Sequence, residues 1–382
     1  MTGETVLIAA FSGRALAQSA RRAGYLPLVA DGYGDADTKE SAVAFECVPE
    51  FVTTGITHKA LHAALAKLSA AASRPPIGLV LGTGFEDHPG LVAALEKTFT
   101  LLGNSAPVIE RCKDPGRFFY TLAKLGIPHP QTQVEAPAEL DGWPDRWLEK
   151  RIGGSGGRHI RHTTAASRSG KNLYFQRKVL GDAISVLGIV SAAGDAFAFS
   201  RQSASPHLSQ PYRYGGATGP LTLDEDLEAR LIDTALTVAR EFDLVGLVSF
   251  DFVINGDEAL LIEVNPRPGA TLDVFDDATG TLFSAHIAAC TGDNPAELLQ
   301  RQWAPPAARS AAYLYADRGP LVVNRTEWPE WVMDRPPPGT RIAARNPLLT
   351  VAAEAQTPDA AEHLCAERLG QMQTMLYDSA EK

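Results

Sequence analysis

Residues 244–271 read LVGLVSFDFVINGDEALLIEVNPRPGAT. Two apolar runs flank Asn255-Gly256-Asp257, and Pro266 and Pro268 break the chain afterwards, which reads as two short strands in a hairpin. Strand side chains alternate. Phe250, Phe252 and Ile254 therefore share one face, and Ser249, Asp251 and Val253 the other. In the second strand Leu260, Ile262 and Val264 share a face, opposite Leu261, Glu263 and Asn265. Directly paired residues point the same way. The apolar sets match only if 250 faces 264, 252 faces 262 and 254 faces 260, which sets Asp251 opposite Glu263. That register calls for an odd loop centred on Asp257, although Asn255-Gly256 is itself a two-residue turn signal. A one-residue slip would send Asp251 in among the phenylalanines. The competing reading is an ordinary hairpin with a polar outer face, but two carboxylates on one face repel. A hard divalent metal resolves this, because Mg²⁺ favours carboxylate oxygens alongside substrate phosphates. Asp251, Glu263 and Asn265 are the candidate ligands, with Arg267 a fixed cation beside them.

The chain has 382 residues, too many for one ordinary core, so two or three domains are expected. Apolar residues make up 45% and charged residues 21%, an ordinary globular balance. A net charge of −10 argues against nucleic acid as a partner. The N-terminus has no basic region ahead of its short apolar run, and no stretch approaches the length of a membrane span. Cys47, Cys112, Cys290 and Cys365 are widely separated and read as free thiols of a cytoplasmic protein.

Strand and helix patterns alternate over residues 1–106, which implies βαβ units and a parallel sheet. Strands are expected at Val6–Ala10, Tyr25–Ala30 and Ile77–Leu81, with helices at Arg14–Ala23, Thr57–Ala72 and Pro89–Lys97. The first loop, Phe11-Ser-Gly13-Arg14-Ala15, lacks G-x-G-x-x-G, so a dinucleotide fingerprint is absent. Gly82-Thr-Gly84-Phe-Glu86-Asp87 is the strand end best placed for a ligand. Asp114 and Pro115 read as a helix cap and first position, with Lys113 just before them. Trp147–Ile152 and Arg158–His162 read as strands around Gly153-Gly154-Ser155-Gly156-Gly157. This loop is not a Walker A sequence. It reads either as a lid over a nucleotide or as a flexible hairpin tip. Tyr174–Gly181 is a further strand, Arg201–Pro220 a long loop, and Asp224–Phe242 a helix capped by Thr222. From about residue 300 short strands and a final helix, Asp359–Leu376, form a small α+β unit.

In this order the motifs resemble the ATP-grasp superfamily of carboxylate–amine ligases: a lysine before a helix ending in GIPHPQT, a lysine strand before a glycine loop, Gln176-x-x-Val179-x-Gly181, Asp251-Phe-Val253, then Glu263-Val-Asn265-Pro-Arg267. The resemblance covers roughly residues 105–290. It implies an α/β and α+β architecture: an ATP-grasp fold with an N-terminal Rossmann-like parallel-sheet domain over 1–106, an ATP-grasp domain over 107–300 with a lid at about 130–178, and a small C-terminal α+β unit over 301–382. It further implies ATP and Mg²⁺, with Mn²⁺ able to substitute. Lys113 and Lys150 would contact the phosphates and Gly153, Gly154, Ser155, Gly156 and Gly157 would cover them. Lys178 and Val179 would offer backbone atoms to adenine, where Gln176 replaces a frequent glutamate and still accepts from the amino group. Asp251, Glu263 and Asn265 would hold Mg²⁺, and Arg267 with Asn265 would act on the acyl phosphate. Arg201, Arg213 and Tyr214 are the expected substrate contacts, and Tyr212 and Phe275 could line a slot with Tyr214.

More narrowly, NPRPGATLDVFDDATGTLFSAHIAAC (residues 265–290) is similar to ligase-like proteins of methylotroph one-carbon metabolism, whose relatives include the tyramine–glutamate ligase of methanofuran-type cofactor biosynthesis. The leading reading is a ligase joining a carboxylate to an amine, with glutamate and a tyramine-like amine as the pair. The alternatives are a carboxylase acting through carboxyphosphate and a non-catalytic nucleotide-binding protein. The expected partners are small molecules, with no membrane, and the size is compatible with a homodimer.

Overall fold

The computed structural model describes residues 3–53, 55–137, 146–164, 167–299 and 307–378. Four parallel strands open the chain: β1 (Thr5–Ala10), β2 (Leu26–Asp31), β3 (Ala44–Cys47) and β4 (Leu79–Leu81), in the order β3-β2-β1-β4. Helices α1 (Arg14–Arg22), α2 (Ala36–Ser41), α3 (His58–Ala71) and α4 (Pro89–Leu95) connect and cover them. The strand β1 is buried along its whole length, as continuous apolar runs in parallel sheets should be. Both β3 and α2 went unread in the sequence. Each is short, and Ala44-Phe-Glu-Cys47 carries no alternation to mark it.

Helices α5 (Ala106–Lys113) and α6 (Pro115–Lys124) meet at Asp114. The Asp114 side chain accepts from Arg117 N, so the expected cap is present, and Lys113 is the last residue of α5. A small sheet follows in the order β5-β8-β6-β7, from β5 (Thr132–Gln133), β6 (Trp147–Arg151), β7 (Arg161–His162) and β8 (Leu173–Arg177).

The large sheet is built from β9 (Asp182–Val190), β10 (Ala196–Ala204), β11 (Tyr214–Gly219), β12 (Gly246–Asn255), β13 (Glu258–Asn265), β14 (Ala308–Tyr315), β16 (Val332–Met333) and β18 (Pro347–Ala355), in the order β13-β12-β9-β10-β11-β14-β18-β16. The strands β15 (Leu321–Val322) and β17 (Arg341–Ile342) pair separately. Strands from before and after residue 301 thus share one sheet, since β14 pairs with β11. The stretch expected as one long loop is half strand, because β10 runs to Ala204 and β11 begins at Tyr214. Helix α7 (Glu225–Glu241) packs on one face of this sheet, capped by Asp224 rather than Thr222: the Asp224 carboxylate accepts from Asp226 N. Against the other face lie α8 (Leu272–Phe275), α9 (Thr281–Thr291) and α10 (Pro295–Leu299), together with α1, in one core that joins the two main sheets. Helix α11 (Pro358–Asp378) covers β14 and β18.

His286 ties this core together. Its Nδ1 accepts from Leu247 N and its Nε2 donates to Leu102 O. Gly246 lies so near that a Cβ there would fall 2.4 Å from the ring. The sheet edge that carries the hairpin is thereby fastened to the N-terminal unit.

Candidate active site

The hairpin keeps the expected pairing at its functional end and departs from it at the tip. Ser249 faces Asn265, Phe250 faces Val264 and Asp251 faces Glu263, but Phe252 then faces Leu261. Ile262 is skipped, and the loop is the two-residue Gly256-Asp257 turn between Asn255 and Glu258, with Gly256 at φ +60°. The odd-loop expectation is therefore corrected: a β-bulge at Ile262 supplies the residue that parity demands. It also exchanges the faces. Leu261, not Ile262, joins Phe252 in the core, and Ile262 turns to line a cavity with Glu263, Lys113 and Tyr174.

Three partners hold Asp251. Ser185 Oγ (2.7 Å) and Gln202 Nε2 (2.8 Å) donate to its Oδ1, and Asn265 Nδ2 (3.0 Å) to its Oδ2. Burial and the neighbouring Glu263 push the Asp251 carboxyl up to about 6. Glu263 is pulled the opposite way. Burial alone would raise it, but the Lys113 ammonium holds it below the usual carboxylate range. Lys113 Nζ lies 2.5 Å from Glu263 Oε1 and 2.9 Å from Asn265 Oδ1.

Lys150 is 4% exposed and donates to Gln176 Oε1 at 2.6 Å. Burial lowers its ammonium to about 8, against the pull of Glu263 and Asp251. Gln176 Nε2 donates to Thr132 Oγ1, so both ends of this amide, expected at adenine, are engaged within the small sheet. The Lys178 N–H donates to Arg146 O. The glycine loop lies folded down. Gly153 packs on Asp87, Gly156 O accepts from Tyr214 N at 2.9 Å, and a Cβ on Gly157 would sit 1.8 Å from Tyr212 O. Only glycine, at φ +68° for Gly157, permits that approach.

Arg267 is aimed by residues that sequence reasoning missed. Its Nε donates to Glu86 Oε1 at 2.7 Å, and Glu86 Oε2 accepts from Gly84 N and Phe85 N. Burial would raise the Glu86 carboxyl, but Arg267 and Lys113 hold it at about 2. Asn104 donates to Val245 O and Pro266 O and accepts from Val245 N, which fixes the turn before Arg267. Glu86 lies in the strand-end loop that the sequence marked for a ligand; nothing local pairs it with a residue 181 positions away.

Two expected substrate contacts lie elsewhere. Arg213 is fully buried. It donates twice to Asp317 and to Ser205 O and Oγ, and stacks 3.7 Å from the Tyr315 ring centre. Its donors are spent on the fold. Arg201 pairs with Asp359 (2.8 Å) and Glu362 (2.5 Å) on α11. Its neighbour Gln202 takes the face toward Asp251, as alternation along β10 dictates. Tyr214 lies between the fields of Asp251, Asp273 and Arg267, while Phe275 is a core residue against Gly219.

The donor set suits a hard cation. Among the described residues no group of three or more His, Cys, Asp or Glu stands ready for a metal. The hairpin offers two carboxylates and an amide oxygen instead, the oxygen class Mg²⁺ takes. The place between Glu263 Oε1 and Asn265 Oδ1 already holds a positive charge, the Lys113 ammonium.

Residues 112–271 match the family described as the ATP-grasp domain. The matched segment lies within a mixed α/β structure of the ATP-grasp fold. The carbamoyl phosphate synthase large chain of Myxococcus xanthus is 27% identical over 247 residues, 58% of this chain and 22% of that one. The chain thus spans about a fifth of that relative's length. Among solved structures, the ADP complex of purK, N5-carboxyaminoimidazole ribonucleotide synthetase, superposes with a TM-score of 0.66 at 18% identity over 100% of both chains. The L-amino acid ligase from Bacillus licheniformis superposes with a TM-score of 0.71 at 12% identity, covering 96% of this chain and 97% of that one.

Proposed function

We propose that this chain is an ATP- and Mg²⁺-dependent ligase that activates a carboxylate as an acyl phosphate and joins it to an amine. One observation carries the reading: two buried lysines, two facing carboxylates and a braced arginine converge on one hairpin end beneath a glycine loop. A carboxylate is a poor electrophile, and phosphoryl transfer asks the protein chiefly to position groups and neutralise charge. Lys113 would pass from Glu263 and Asn265 to a phosphate, which frees those oxygens. Asp251, Glu263 and Asn265 would then hold Mg²⁺, whose part is to draw charge off the phosphoryl oxygens. Lys150 would take a second phosphate contact, and the amides of Gly153–Gly157 would close over the chain of phosphates. Arg267, fixed by Glu86, would face the charge that develops at the carbonyl. No serine or cysteine nucleophile is needed.

The finer reading, glutamate joined to a tyramine-like amine in methylofuran-type cofactor biosynthesis, rests on residues 265–290 alone. The test is ADP release from purified protein with ATP and Mg²⁺, across glutamate and other acids, each with and without amines, with products read by mass. Release that requires an acid and an amine together, with a condensed product, is the expected result. Release with bicarbonate alone would make the enzyme a carboxylase, and no release with any pair would end the ligase reading.

A further inference from the structure

One chain of hydrogen bonds runs through the working end of the hairpin, and Lys113 starts it. Its Nζ donates to Glu263 Oε1 at 2.5 Å and to Asn265 Oδ1 at 2.9 Å. The same Asn265 amide donates through Nδ2 to Asp251 Oδ2 at 3.0 Å, while Ser185 and Gln202 donate to Asp251 Oδ1. Lys113 thus also decides which way the Asn265 amide faces, because only its oxygen can accept from an ammonium. Both residues are 9% exposed. The ammonium occupies the place that a cation bridging Glu263 and Asn265 would take, and two cations repel at that distance.

The stem of Lys113 is built for exchange. Its backbone closes α5, and Asp114 caps α6 directly after it, so the chain is pinned between two helices. Four methylenes still let the ammonium swing about that fixed point. Lys113 also lines a cavity with Glu263, Arg151, Gly153, Gly154 and Tyr174. An anion entering there meets Lys113 and Arg151 on the wall, with the glycine loop beside it. If the pair with Glu263 only braced the fold, an arginine fork would hold two oxygens more firmly than a single ammonium.

We propose that Lys113 is a place-holder cation. In the protein without nucleotide it fills the seat between Glu263 and Asn265 and shuts divalent ions out. Phosphate oxygens in the adjoining cavity draw the ammonium off, and only then do Asp251, Glu263 and Asn265 become a metal site. This rests on the ligase reading, which puts nucleotide phosphates in that cavity. The apparent affinity for a metal is lowered by the fraction of time that Lys113 is away from the seat.

The test is Mn²⁺ binding to the full chain without nucleotide, read as loss of the free-ion signal in electron paramagnetic resonance. Lys113→Met keeps the stem and removes the charge. It should bind Mn²⁺ at least about ten-fold more tightly than the parent, the gain expected when a seat open less than about a tenth of the time becomes permanently open. Adding Glu263→Ala should erase that gain, which assigns it to the hairpin. ATP, titrated calorimetrically in the presence of a chelator, should move the other way and bind Lys113→Met about ten-fold more weakly, as loss of a charged hydrogen bond does. Opposite signs for the two ligands mark a place-holder, since a brace would weaken both when lost. Lys113→Gln, read in the same way, serves if Lys113→Met does not fold. Mn²⁺ binding that is no tighter in the variant, a gain that survives Glu263→Ala, or an ATP affinity that does not fall overturns the proposal. The expected shifts in a protein that releases no ADP with any acid and amine would end the ligase reading and leave the place-holder standing. An unmoved Mn²⁺ affinity beside a productive acid and amine pair would do the reverse.

Discussion

Two places in this molecule crowd carboxylates together, and they settle the charge differently. At the hairpin, Asp251 and Glu263 face each other, with Lys113 on Glu263 and Lys150 nearby. Lysine is a single charge on a flexible stem that can move to a new partner. At the N-terminal cluster the cations are Arg14 and Arg335, each held by two carboxylates. Planar guanidinium forks fix geometry and stay put. The hairpin thus keeps its compensation in reserve, whereas the cluster commits its own. The first arrangement suits a site that exchanges one cation for another during turnover. The second suits a joint, since it fastens the N-terminal unit to the turn after β16.

The most damaging way to break the comparison is Glu263→Ala. Steady-state ADP release should fall on the order of 10³-fold, the loss typical when charge stabilisation is removed at a reacting centre, while circular dichroism stays that of the parent. Near-normal turnover would remove the metal role from Glu263. Next is Arg14→Met, which strips the cluster of its fixed cation and leaves Asp334 and Asp273 buried without it. Urea denaturation should show a loss of about 3 kcal/mol, the cost of breaking a buried pair; an unchanged midpoint would mean that the cluster does not depend on its fork. Glu86→Gln should be milder. The amide has one oxygen for two sets of donors, so when it serves the Gly84 and Phe85 N–H groups its NH2 faces and loosens Arg267, and kcat should drop roughly ten-fold with the KM for ATP unmoved, as small misplacements do. A matched rise in KM would show instead that Glu86 shapes nucleotide binding.

The smallest effect sharpens the contrast most. Asp35→Asn removes from the cluster a carboxyl that must take up a proton to be buried, and should stabilise the protein by about 1 kcal/mol near neutral pH. The pH dependence gives the sign. Folded Asp35 keeps its proton up to about 8, whereas the unfolded chain releases it near the ordinary value of 3.8. Its stabilising contribution is whole below 3.8 and is lost as pH rises through about 8. The midpoint of thermal unfolding should therefore fall across that window in the parent and fall less steeply in Asp35→Asn; parallel curves would show that Asp35 ionises normally.

What the sequence disclosed was local or periodic. The facing of Asp251 and Glu263 followed from alternation, the Asp114 cap from residue type, and the parallel N-terminal sheet from the spacing of apolar runs. What it hid came from pairings across long separations. Arg213 looked available because it stands in a polar, glycine-rich stretch, yet Asp317 lies 104 residues on. Nothing near Gln176 in the sequence announced that β6 would bring Lys150 beside it. The bulge at Ile262 was beyond reach because apolar residues at 260, 261 and 262 fit either face, and only the packing of Leu261 beneath Phe252 chooses between them.

That bulge has a practical consequence for anyone engineering the chain. An extra residue absorbed at Ile262 means that the tip of the hairpin and its working end keep separate counts. Asn255, Gly256, Asp257 and Glu258 are all exposed, and their turn is closed by its own pairing. Whole residues can be spliced in at Gly256-Asp257, as a tag or a reporter dye anchor, and Asp251 will still meet Glu263 across the strands.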